Sequence, residues 1–290
     1  MGWLSLSLLC AFSLASADAA TKYYLADYSA RELVIVRFGT TALILAPLLY
    51  ISAPTHIPTP FWYWLAALMP LEILAMWLYM RAISTSDLAR TLPYLAFTPV
   101  FATGIGFVVL HERVSSTGFA GIALITAGAW LLNSQHFPTR SKWRIPAPVK
   151  AVLHEPGARL MLAVAFIYSI TSVLGKGALQ YVEPSFFAAF YFFLLAVASL
   201  ILFSANELRL ITVLWRRPGP HLLVGVTMAA MVITHLLAIQ QIEVAYMIAV
   251  KRTSLVFGIL FGALLFKEPH LLQHLSAGLL MVLGVIVITL

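Results

Sequence analysis

Charge is what this chain has least of. Only 10% of its 290 residues are Asp, Glu, Lys or Arg, whereas a soluble domain carries about 25%. So few charges cannot clothe a water-facing surface, which excludes a soluble globular protein. With 61% hydrophobic residues and a mean hydropathy of +0.94, the chain reads as an all-α, polytopic membrane protein. Cysteine is nearly absent too. Cys10 stands alone, so no internal disulfide and no cysteine metal cluster can form. Motifs are also lacking. There is no Walker A sequence for an ATP-driven pump, no His-Glu-x-x-His, no Gly-x-Ser-x-Gly elbow and no arginine-rich voltage-sensor helix. An enzyme is therefore not expected, nor a cofactor or metal. Acids are scarcer than bases, giving a net charge of +7. In a soluble protein that excess would suggest nucleic acid; here it reflects Lys and Arg gathered in membrane-flanking loops, so no nucleic-acid partner is expected.

What is present is a series of long apolar runs. Ten stretches are long enough to span a bilayer, which takes about 20 residues: 3–22, 32–52, 61–82, 88–110, 116–133, 158–178, 185–205, 219–240, 245–266 and 271–289. Residues 1–20 have some look of a signal peptide, with Ala15-Ser16-Ala17 as a small-residue site. No Lys or Arg precedes the apolar stretch, however, and the segment has a counterpart later in the chain, so it is expected to remain as a span. The basic, Pro-rich stretch 134–157 divides the chain into halves 1–133 and 158–290. Shifting the first half by 156 places Phe101 on Phe257, Gly106 on Gly262, Glu112 on Glu268 and Gly128 on Gly284. A shift of 154 places Lys22 on Lys176. Five spans per half make the second half enter the membrane upside down, the inverted repeat of secondary transporters. Thirteen of the 18 basic residues lie in loops on one side and only Arg113 on the other. The positive-inside rule makes the crowded side cytoplasmic and both termini external.

The run 93–133, PYLAFTPVFATGIGFVVLHERVSSTGFAGIALITAGAWLLN, resembles the EamA repeat of the drug/metabolite transporter superfamily. So does its echo at 249–288, AVKRTSLVFGILFGALLFKEPHLLQHLSAGLLMVLGVIVI. Each has an apolar helix ending in Leu-x-Glu or Phe-x-Glu, a short polar turn and a Gly-rich closing helix. The resemblance implies two five-helix EamA units and secondary-active transport of small organic solutes, with proton coupling and efflux or exchange common. Ten-helix members are usually drawn with both termini in the cytoplasm, against the charge count here. A bacterial inner (plasma) membrane is the expected location, and a homodimer is compatible with such a carrier.

Ionisable residues inside apolar helices are costly, about 2.5–3.5 kcal/mol each at the helix centre on insertion scales, so they mark functional positions by default. Lys251 and Arg252 stand side by side in the ninth span, where the first half has Leu95 and Ala96. The fold itself thus needs no cation there. Snorkelling could rescue one of them; the alternative is a solute-binding cavity, with arginine offering a fork to a carboxylate or phosphate. Glu72, two residues after Pro70 in the third span, is the candidate proton-coupling carboxylate, or else the ion-pair partner of Arg37, Lys251 or Arg252. Asp18 and His235 are further coupling candidates. Asp18 lies four residues before Lys22, where a local ion pair is equally natural; His235 is as readily a packing residue as a proton carrier. Arg37 is a candidate solute ligand whose plausible partners are Glu72 and Asp18. The fourth span carries Pro93 and Pro99 with Thr91, Tyr94 and Thr98 nearby; Ser254 matches Thr98 in the ninth, which has no matching proline. These two spans are the expected cavity walls, with Ala102/Gly106 and Gly258/Gly262 allowing close packing. Trp77 and Tyr191 could stack on a solute. Trp62 and Trp64 are expected to anchor at an interface. Glu112 and Glu268 are expected to be structural, capping a neighbouring helix, and Lys176 to snorkel.

The function expected is proton-coupled export or exchange of small metabolites, amino-acid-like or otherwise anionic, by alternating access around a midplane cavity. The alternatives are an exporter of cationic or lipophilic drugs that uses Asp18 or Glu72, and a non-transporting scaffold or lipid-handling enzyme. A scaffold would have a solid centre.

Overall fold

The computed structural model describes residues 1–85, 92–134, 156–204, 208–266 and 275–290. Thr91, Lys267, Glu268 and nearly all of the connecting stretch 134–157 lie outside that set. In chain order the helices are α1 (Trp3–Tyr24), α2 (Ala30–Ile51), α3 (Thr59–Thr85), a 3-10 segment (Leu92–Phe97) running into α4 (Thr98–Leu110), α5 (Ser116–Ser134), α6 (Pro156–Ala178), α7 (Pro184–Ser204), a second 3-10 segment (Leu208–Trp215), α8 (Pro218–Ile239), α9 (Val244–Lys251), α10 (Ser254–Phe266) and α11 (Leu275–Thr289). Among the described residues there is no strand. Six helices, α1, α2, α3, α6, α7 and α8, are long and apolar enough to cross a membrane, and shorter apolar helices accompany them. The protein is an integral, multi-pass membrane protein.

Helices dominate because backbone N–H and C=O groups in hydrocarbon must be satisfied within the segment. The ends are closed locally. Ser29 and Glu32 form a reciprocal capping box at the start of α2, from a Ser-x-x-Glu pattern that a charge-based reading passes over. At the end of α4, His111 takes a left-handed conformation (φ 56°) and Glu112 N–H bonds back to the Gly106 carbonyl at 3.2 Å, a Schellman-type stop. The outward faces stay apolar, as on Val108, Ile201 and Leu264, each more than two-thirds exposed; lipid, not water, suits such a surface.

Packing follows a twofold rule. α1 packs along α8 and α3 along α6; α4 packs on α6 and α10 on α1; α2 meets α7, and α5 meets α11. Exchanging the halves turns each pairing into another member of the set or into itself. The closest approach lies between the closing helices. A Cβ on Gly121 would meet the Gly284 carbonyl at 2.7 Å, and one on Gly284 would meet the Gly121 carbonyl at 2.8 Å. A Cβ on Gly128 would meet the Ala277 carbonyl at 2.8 Å, the same crossing seen from the other half.

Two expectations need correcting. The fourth and ninth helical stretches are not single rods: the breaks fall between Phe97 and Thr98 and just before Ser254, at positions 156 residues apart. The ninth breaks without proline. Arg252, Thr253, Leu255 and Val256 N–H groups bond three residues back, and the Thr253 hydroxyl donates to the Val250 carbonyl at 2.8 Å, competing with the α-helical ladder. Gly258 has nothing within 4 Å, and Gly106 is small because the Glu112 carboxylate lies 3.0 Å from where its Cβ would sit; the tight helix crossing belongs to α5 and α11 instead. Trp64 lays its ring over Gly177 of α6, near the start of α3 and the end of α6.

Gly284→Ala forces a methyl against a backbone carbonyl and is expected to destabilise the detergent-purified protein by about 1–3 kcal/mol. Gly258→Ala, facing open space, is expected to stay within about 0.5 kcal/mol. Thermal unfolding of the two variants side by side checks this; equal melting temperatures would refute the crossing.

Candidate functional site

The centre of the bundle is hollow. A cavity of about 130 Å³ is walled by α1, α2, α3, the first 3-10 segment, α4, α6, α7, α8 and the end of α9. That volume is below the 300–1,000 Å³ typical of drug-sized ligands, so the space suits a small solute. Arg37, Glu72, Thr98, Tyr191, His235, Lys251 and Arg252 all line it. These residues come from six different helices of both halves.

The four intramembrane cations fall into two classes. Arg37, 2% exposed, donates to Asp18 at 2.5 Å and to the Thr21 hydroxyl at 3.0 Å. Tyr79 donates to the other Asp18 oxygen at 3.2 Å. Of the two partners open to Arg37 in the sequence, the fold uses Asp18, because α1 and α2 place them one behind the other at the cavity wall. Lys176 does not simply snorkel. Its ammonium donates to Glu112 at 2.6 Å and to the Ile242 carbonyl at 2.7 Å. Glu112 in turn accepts the Val244 N–H at 2.9 Å and so caps the N-terminus of α9, as a carboxylate at a positive helix end should. Lys176 and Glu112 thereby tie the ends of α4 and α6 to the start of α9.

Lys251 and Arg252 are the other class. Both sit where α9 stops and line the cavity. Among the described residues neither makes an ion pair, and the Arg252 Nε is buried without a hydrogen-bond partner although the residue is only 6% exposed. Opposite them, Glu72 comes from near the middle of α3, within electrostatic range of Lys251, and also makes no ion pair among the described residues. Tyr191 stacks on Phe187 at 5.3 Å and presents a buried hydroxyl with no partner; His235 presents a buried Nδ1 in the same condition. Unpartnered polar atoms that converge on one cavity leave hydrogen-bonding capacity for a ligand.

Four candidates lie off the cavity lining. Asp18 stands behind Arg37. Tyr94 is buried edge-to-face against Trp130 at 5.5 Å. Trp77 lies under Arg81, 5.4 Å from the guanidinium carbon. Ser254 is buried at the start of α10. Two groups were not singled out by sequence: Tyr168 and Thr171 of α6, which line the cavity across from α3. The only signal for them is polarity within an apolar helix.

A second, open basin of about 530 Å³ lies at the bundle end formed by the loops after α4 and α8, lined by His111, Arg113, Gln240, Gln241 and Glu243. Lys176 borders both this basin and the central cavity. At the other end, Arg216 pairs with Glu32 at 2.6 Å and Arg217 with Asp27 at 2.9 Å.

The model of the EamA-like transporter family matches residues 1–134 and again 155–290. A protein of a Sinorhizobium species, described as an uncharacterized transporter in the cobO 3′ region, is 33% identical over 107 residues, which is 37% of this chain and 75% of that protein. A crystal structure described only as that of a protein superposes over 100% of this chain and 99% of its own with TM-score 0.75 at 17% identity; it shows the fold alone.

Asp18→Asn strands a buried guanidinium and is expected to lower stability by about 3–5 kcal/mol. The double variant Asp18→Asn/Arg37→Met should recover much of that loss. A double-mutant cycle on thermal unfolding measures it; additive losses would mean that the pair is not coupled.

Proposed function

This chain belongs to the EamA-like transporter family, and from that premise we propose that it is a secondary-active carrier of small organic anions, amino-acid-like or otherwise carboxylated or phosphorylated. It exports or exchanges them by alternating access of two inverted five-span repeats. The single observation that carries this reading is the pair Lys251 and Arg252. Two cations that make no ion pair among the described residues border a cavity at a helix break, the position at which broken helices of transporters hold charged substrates. A buried unpaired cation is expensive, and an entering carboxylate or phosphate would supply the missing partner. Arg252 would make forked hydrogen bonds and Lys251 a point-charge contact. Tyr191, Thr98 and His235 would orient the remainder of the solute. Glu72 is the group proposed to take up and release a proton.

Support comes also from what the centre is not. A scaffold subunit would close its centre, whereas this bundle keeps a cavity lined by a carboxylate and three cations besides Lys176. The drug-export reading would use Glu72 to hold an organic cation, and one experiment separates the two. Detergent-purified protein is screened by thermal shift against amino acids, sugar phosphates, nucleotides and organic cations. A ligand at 100 times its dissociation constant adds about 2.7 kcal/mol. Anionic solutes are expected to stabilise the wild type and not Lys251→Ala/Arg252→Ala. Stabilisation by organic cations that is lost in Glu72→Gln would favour drug export. Anions that stabilise the double variant equally would leave Lys251 and Arg252 as mere snorkelling side chains.

A further inference from the structure

Glu72 shares one small cavity with two cations that make no ion pair among the described residues. Around it the cavity brings Arg37 from α2, Tyr168 and Lys176 from α6, Tyr191 from α7, His235 from α8, and Lys251 with Arg252 from α9; Tyr79 lies on its own helix. Most of these have no charge left to offer. Arg37 is matched by Asp18 and Lys176 by Glu112. The tyrosines are neutral near pH 7, since an ordinary phenol titrates near 10. Among the described residues the uncompensated set is therefore Lys251, Arg252 and Glu72, two positive and one negative. His235 is a further proton-binding side chain of the lining, and the buried Cys10 thiol of α1, within electrostatic range of Lys251, is neutral near pH 7, since an ordinary thiol titrates near 8.5.

We infer that an anion and a proton enter this cavity together: the anion binds Lys251 and Arg252 while Glu72 takes up the proton, so the protein is an anion–proton cotransporter. This rests on the anion-site reading above. Without solute, the Glu72 carboxylate partly offsets the charge of Lys251 from across the cavity, without forming an ion pair. An incoming anion takes over that role and meets Glu72 as a like charge in a confined, weakly screened space. Protonation removes the repulsion and leaves both cations to the solute. The transfer is a simple addition, one proton from water onto a Glu72 oxygen, reversed when the anion leaves. By linkage, if the complex holds more protons than the empty protein, anion affinity rises as pH falls. Movement of the anion outward then carries a proton outward as well, so export must draw on the solute's own gradient or on exchange for a second anion, while an inward proton gradient drives uptake.

The test is calorimetric titration of the purified protein with sulfate and with lactate, whose own ionisation is constant near neutrality. Runs in two buffers of different ionisation enthalpy count the protons taken up. The expected result is uptake approaching about one proton per anion, with affinity rising up to about tenfold per unit fall in pH across the range where Glu72 titrates. Glu72→Gln, a mimic of the protonated acid, is expected to bind tightly without pH dependence or proton uptake. Glu72→Asp, which keeps the carboxylate, should retain both. Binding that is lost in Lys251→Ala/Arg252→Ala but takes up no proton in the wild type would overturn the cotransport and leave the anion site standing. Proton uptake that persists in Glu72→Gln and vanishes in His235→Gln would move the proton to His235 and overturn the assignment to Glu72. Failure of both anions to bind the wild type would overturn the site, and the cotransport with it.

Discussion

A charge taken from water into a helical bundle must be met by a countercharge, by hydrogen bonds or by retained water. Each intramembrane cation of this chain can be understood by how it satisfies that demand. Arg37 is met by Asp18 with help from Thr21, and Asp18 by Tyr79 as well. Lys176 is met by Glu112 and a carbonyl. Lys251 and Arg252 border open space instead. The first two pairs join helices, so they hold the frame in which the unmatched cations stand. Had Lys251 and Arg252 been matched in the same way, the centre would hold two more structural ion pairs and no free charge for a solute.

The frame is built twice. The pairings of helices, the two breaks and the crossing of the closing helices all repeat under exchange of the halves. The repeats diverge where chemistry is placed. The residues preceding the two breaks are Leu95 and Ala96 in one half and Lys251 and Arg252 in the other. Only the second set of side chains puts charge into the cavity. Duplication therefore explains the shape of the hollow, while its electrostatics come from the asymmetry between the halves.

Much of this was legible in the sequence, for physical reasons. A span needs an apolar run of fixed length, so all ten stretches reappear as helices wherever residues are described. A charge inside such a run is conspicuous, and Glu72, Lys251, Arg252 and His235 do share one cavity. What was not legible depends on three-dimensional pairing. The sequence left Arg37 with two partners, and only the packing of α1 and α2 against α8 brings Asp18, 19 residues earlier, to Arg37. The break before Ser254 lacks the proline that announces its counterpart. Tyr94, Trp77 and Ser254 carry the right chemistry but point into packing, and a helix face cannot be read from a stretch that is apolar all round.

The Lys176–Glu112 contact shows how structural and functional roles merge in such a bundle. Glu112 looked structural because it recurs at equivalent positions, and it does cap a helix. The helix it caps is α9, which ends in Lys251, and its ion-pair partner Lys176 borders the central cavity on one side and the outer basin on the other. A residue common to both linings is thus held by one ion pair and one carbonyl. That same contact fixes the ends of α4 and α6 and the start of α9, elements drawn from both halves. Loss of the one ion pair would loosen the three helix ends at once. The helix that bears the unmatched cations is therefore positioned by an ion pair whose lysine also lines the cavity.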